Sequence, residues 1–223
     1  MGESVQLTAA DGHRLRAWLA RPTGTPRGAM VVVQEIFGLN AHIRAVAEGF
    51  AADGYLTIAP ALFDRIEPGI ELGYAQADIE RGRALKAASP DDKALLDLAA
   101  AIAHVRHAGR VGMVGYCWGG LLTWLAAGKL EGLSAAVPYY GGGMADRASV
   151  APQCPVLGHF GEQDTHIPVE GIQALQRAHA QRTTVHFYPA GHGFNCDQRG
   201  SYDAASARLA RDRTLAFLRQ HLG

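Results

Sequence analysis

The chain has 223 residues, 48% hydrophobic and 19% charged, enough for one sizeable domain with a real core. Its 21 Lys and Arg balance 21 Asp and Glu, which removes the electrostatic footprint of a general nucleic-acid binder. The opening "MGESVQL" lacks the basic and apolar regions of a secretory signal, and no apolar run approaches a membrane span.

In chain order, "SVQLTA" and "HRLRAWLA" alternate around Asp11-Gly12 and predict a hairpin. "AMVVVQE" is a continuous β-branched run, the pattern of a strand buried on both faces of a parallel sheet. A helix is expected over residues 40–53, then a strand at "GYLTIAP", then helices over 71–88 and 91–107. Ser89-Pro90-Asp91-Asp92 reads as the start of the second of these, with Ser89 as its cap. "GRVGMVGY" predicts a strand and "GGLLTWLAAGKL" a helix. "SAAVPYYG", "CPVLGHFG" and "TTVHFYPAG" predict three more strands, with a helix between the last two and another over 201–220. Strands alternating with helices imply a single α/β domain over 1–223, its mostly parallel central sheet covered by helices on both faces.

Functional groups in such sheets stand on loops at the carboxyl ends of strands. Cys117 in "VGYCWGG", Asp164 in "GEQDTHIP" and His192 in "AGHGF" all fall there, in the order nucleophile, acid, base. Gly-Tyr-Cys-Trp-Gly is a G-x-S-x-G nucleophile elbow with sulfur in place of oxygen. The following helix aims its amides at the sulfur, His192 is placed as base, and Asp164 as the group that orients it. The Trp118 amide and the Ile36 amide, from "QEIFGLN", are the candidate oxyanion donors; Glu35 lies in the same loop. Tyr139 and Phe37 are candidate pocket residues, although Tyr139 and Tyr140 serve equally well to close the sheet.

Three cysteines at unpatterned spacing argue against a disulfide framework and suit a reducing, cytoplasmic setting. No C-x-x-C or H-E-x-x-H pattern points to a metal. His42, His104, His107, His179 and His221 fall in expected helices, where solvent-facing roles suffice. Cys154 and Cys196 read as incidental small residues.

"QEIFGLN", "GYCWGG", "GEQDTHIP" and "AGHGF" with downstream "RGSY" resemble the dienelactone hydrolase (carboxymethylenebutenolidase) family over essentially the whole chain. The resemblance implies an α/β-hydrolase fold, a monomer, no metal or organic cofactor, and hydrolysis of a carboxylate-bearing lactone or enol ester from aromatic-compound degradation. It implies a Cys117-His192-Asp164 triad, with Glu35 holding the resting thiol neutral until substrate arrives. "IERGRALK" resembles the segment carrying a substrate-carboxylate arginine, matched best by Arg81, with Arg83 as the second choice. The sequence departs from the family at Cys196, where a second such arginine is expected, and at Gly193, where Ser can stand; Arg199 is the candidate replacement. The rivals are an esterase or thioesterase of other substrate, a glutamine amidotransferase and a non-catalytic binding protein. An amidotransferase would want Glu two residues after the base, where Phe194 stands.

Overall fold

The computed structural model describes residues 2–223. Its eight strands are β1 (Glu3–Thr8), β2 (Arg14–Ala20), β3 (Gly28–Val33), β4 (Tyr55–Pro60), β5 (Val111–Tyr116), β6 (Leu133–Tyr139), β7 (Val156–Gly161) and β8 (Thr183–Tyr188). They form one sheet in the order β1-β2-β4-β3-β5-β6-β7-β8. The β1–β2 hairpin joins through an antiparallel β2–β4 pair, and every other pairing is parallel. Every residue of β3, β4 and β5 is buried, as their unbroken apolar runs require. The β2 strand alternates because one of its faces meets water over much of its length.

The helices are α1 (Ala41–Ala52), α2 (Gln76–Ala88), α3 (Asp91–Val105), α4 (Trp118–Lys129), α5 (Val169–Ala178) and α6 (Ala204–Leu222). Both faces of the sheet are covered. A Cβ on Gly112 would strike Leu218 and Leu222 of α6, whereas one on Gly115 would strike Gly119 and Thr123 of α4. Those positions are three apart on one strand, so α6 and α4 lie on opposite faces. Helix α4 is buried from Trp118 through Ala127, and so carries no polar stripe.

Three boundaries differ from the sequence reading. Helix α2 starts at Gln76 rather than 71, because Glu71 bridges to Gly38 and the Leu72 amide donates to the Phe37 carbonyl (2.8 Å). That extended segment is thereby stitched to the loop after β3. Ser89 is not the cap of α3: Pro90 holds that place, and the Ser89 hydroxyl donates back to the Leu85 carbonyl of α2 (2.8 Å). Helix α6 starts at Ala204, where Asp203 accepts from the Ser206 amide (2.8 Å).

Candidate active site

Cys117 joins β5 to α4 with φ 55° and ψ −114°, in the left-handed region that side chains avoid. Its amide donates to the Tyr139 carbonyl of β6 (3.0 Å) and its carbonyl accepts from the Gly120 amide (2.9 Å), so the turn is fixed from both sides. The flanking glycines are steric necessities. A Cβ on Gly115 would lie 2.0 Å from the Gly119 carbonyl oxygen, and one on Gly119 would lie 2.4 Å from the Val33 carbonyl oxygen. Only without them can α4 start so close to β3 and β5.

Three strand ends converge on the sulfur. Cys117 Sγ is 3.2 Å from His192 Nε2, on the loop after β8. His192 Nδ1 is 2.7 Å from Asp164 Oδ2, on the loop after β7. The other Asp164 oxygen accepts from the His166 amide (2.9 Å), which fixes the carboxylate. With Nδ1–H donating to Asp164, Nε2 is free to accept the thiol proton. Burial opposes charge on His192, but hydrogen bonds to Asp164 and Cys117 outweigh it and raise its pKa to about 10. Burial likewise disfavours the Asp164 carboxylate, yet the His192 bond leaves its pKa lowered.

The Trp118 amide opens α4 and so belongs to the first-turn amides that no helical carbonyl satisfies. The Trp118 indole is locked in place, stacked on Phe63 at 5.4 Å and donating to Asp91 Oδ1 (3.2 Å). Ile36 lies half-buried in the loop after β3.

Glu35 makes no hydrogen bond to the thiol. Its carboxylate meets Arg199 (Oε1 to Nη1, 3.3 Å), not the thiol, which faces His192. Its Oε2 has no partner, and burial raises its pKa against the opposing pull of Arg199, His42 and His192. Arg199 reaches this position because Gly193 has no Cβ: one built there would lie 2.4 Å from the Arg199 guanidinium. The guanidinium also lies 5.7 Å from the centre of the buried Phe37 ring. Arg81, in contrast, is on the surface, paired with Glu67. Tyr139 is also turned away: its hydroxyl bonds to Thr214 inside the core (2.7 Å). Its neighbour Tyr140, at φ 38°, places its ring 5.2 Å from that of His192.

His42 is not a solvent-facing histidine. It is buried, with Nδ1 3.2 Å from Asp197 Oδ1, and one ligand atom each from Glu35, His42 and Cys196 lie within 4.8 Å of one another. No local motif announces this cluster, since Cys196 lies more than 150 residues from Glu35 and His42 in the chain. A cavity of about 590 Å³ also lies away from the sulfur, between α1 and α6, with His42, Asp197, Arg208 and Arg211 in its walls.

The profile of the Dienelactone hydrolase family matches residues 15–222. The chain belongs to the dienelactone hydrolase family. A carboxymethylenebutenolidase of Pseudomonas putida is 35% identical over 227 residues, covering 97% of this chain and 95% of its own. A provisionally named carboxymethylenebutenolidase of Escherichia coli K12 is 36% identical over 234 residues, covering 96% and 85%. Among solved structures, a provisionally named dienelactone hydrolase from Klebsiella pneumoniae superposes with a TM-score of 0.85 at 32% identity, over 99% of both chains. The sheet order and helix placement are those of the α/β-hydrolase fold, and membership makes this chain a hydrolase of the ester-cleaving kind. No helix among the described residues is long and apolar enough to cross a membrane.

Proposed function

We propose that this dienelactone hydrolase family member cleaves a small lactone or enol ester through a Cys117 thioester, with no cofactor. The observation that carries the reading is the continuous Asp164–His192–Cys117 hydrogen-bonded line, with its sulfur on the strained elbow. His192 Nε2 takes the thiol proton as Sγ bonds to the ester carbonyl carbon. The Ile36 and Trp118 amides receive the developing oxyanion. The C–O bond to the leaving group breaks, and the His192 proton goes to that oxygen. Water, deprotonated by His192, then splits the thioester and releases the acid. An enol leaving group departs readily, which suits a sulfur nucleophile.

A carboxylate-bearing substrate has Arg199 as its partner in this reading, because Arg199 supplies the cation that touches Glu35, while Arg81 is paired at the surface. The same replacement of arginine by Cys196 favours a second reading, an esterase of the same mechanism acting on another small ester.

The test is hydrolysis of cis- and trans-dienelactone beside p-nitrophenyl acetate, by the wild type and Cys117→Ala. Rapid lactone turnover abolished by the substitution is the expected result. Turnover of the simple ester alone, still dependent on Cys117, moves the protein to the second reading. Turnover of both esters unchanged in Cys117→Ala overturns the thioester route.

A further inference from the structure

Glu35 after β3, His42 in the first turn of α1 and Cys196 after β8 bring three different donor types to one buried point. Two of their atoms, Glu35 Oε2 and His42 Nε2, have no protein partner although both are buried. An unsatisfied buried polar atom costs about 1–3 kcal/mol, and two of them on residues with a ligand atom within 4.8 Å of a cysteine sulfur point to a ligand. The groups behind them already have the form of a metal site's outer partners. Asp197 Oδ1 lies 3.2 Å from His42 Nδ1, which leaves Nε2 as the free donor. Arg199 holds the other Glu35 oxygen, and Asn40 donates to the Tyr74 hydroxyl (3.1 Å).

We propose that Glu35, His42 and Cys196 bind a single thiophilic divalent cation of the Zn²⁺ type. Thiolate, imidazole and carboxylate are the donors such an ion selects, and three protein ligands leave its fourth position to water. In a tetrahedral site with bonds of about 2.0–2.3 Å the ligand atoms stand roughly 3.5 Å apart. The observed spread, within 4.8 Å, closes to that by small side-chain shifts. Binding forms the metal–sulfur bond and releases the Cys196 thiol proton to solvent. Thiolate and carboxylate together balance the ion's two charges. Access is available through the cavity between α1 and α6, whose wall includes His42 and the exposed Asp197. The site shares no residue with the Asp164–His192–Cys117 line, although His192 is near enough to act on Glu35, and its existence does not depend on the thioester reading.

The test uses the full chain carrying Cys117→Ala, which removes the other thiol–imidazole pair. Co²⁺ is titrated and followed by its absorption spectrum, then displaced by Zn²⁺ with calorimetry. One equivalent is expected, with a thiolate-to-cobalt charge-transfer band that disappears on adding Cys196→Ser and persists on adding Cys154→Ser. Asp197→Ala, a surface change that leaves the fold intact, should weaken binding about 10- to 100-fold. No binding to the Cys117→Ala protein, or an unchanged equivalent and band in the Cys196→Ser protein, overturns the proposal.

Discussion

Asp164 shows how one buried carboxylate sets the behaviour of a neighbour. Its hydrogen bond to His192 is the largest influence raising that imidazole's pKa, against a burial that by itself lowers it. Replacing Asp164 by Asn keeps the shape but loses the charge and the tautomer preference. Its kcat/KM should fall about 10²–10⁴-fold, measured on whichever ester the wild type turns over. The same pair links stability to pH with a definite sign. The folded-state pKa of His192 is raised to about 10 from an ordinary 6.5, so its contribution is fully present below pH 6.5 and is lost as pH rises to about 10. Denaturant titrations across that window should show a decline in the wild type and a flatter profile in Asp164→Asn.

At the scale of elements, the elbow is a three-way packing of β3, β5 and α4 that leaves no room for side chains. Gly119→Ala would drive a Cβ into the Val33 and Gln34 carbonyl oxygens, at 2.4 and 2.5 Å. Backbone cannot yield as a flexible side chain would, so α4 must shift. A loss of about 1–3 kcal/mol in urea unfolding is expected, with ester turnover falling further as the amide of Trp118 moves with the helix. The elbow was legible from "VGYCWGG" because glycine spacing around a strand-to-helix turn is a local property. The strands were legible for the same reason: β3 and β5 advertise burial by unbroken apolar runs. Helix starts were less so. Nothing local distinguishes residues 71–75 from helix, since their extended path is set by Glu71 and Leu72 pairing with a loop more than thirty residues earlier. His42 and Arg199 were misjudged or left open for a related reason. Their partners, Asp197 and Glu35, are over 150 residues distant in sequence, and only the folded sheet brings them together.

Across the whole molecule, the amino-terminal hairpin is tied to the rest by charge as well as by strand pairing. Arg65, in the 3₁₀ turn after β4 (Leu62–Arg65), makes two 2.7 Å hydrogen bonds to the fully buried Asp97 of α3. It also bonds to Asp11 in the β1–β2 turn (2.9 and 3.1 Å), which Lys93 of α3 reaches as well. Burial raises the Asp97 pKa, and Arg65 is the group that counters it. Arg65→Ala should therefore cost about 3–5 kcal/mol in guanidinium unfolding, because it strands a buried carboxylate. Adding Asp97→Leu to it should recover a large part of that loss. A cost under 1 kcal/mol for the single change would show that water reaches Asp97.

The order in which the site's parts occur along the chain has a consequence for biosynthesis. The sulfur of Cys117 is made well before its histidine partner, which follows β8 and precedes only the last helix. A ribosome releases the amino-terminal strands first, so the emerging polypeptide carries this thiol without an adjacent imidazole to take its proton. Thiols react as thiolates, and oxidants and stray electrophiles attack them accordingly. Through most of translation the group is thus chemically quiet, and it is armed only when the carboxyl-terminal portion docks against a completed sheet.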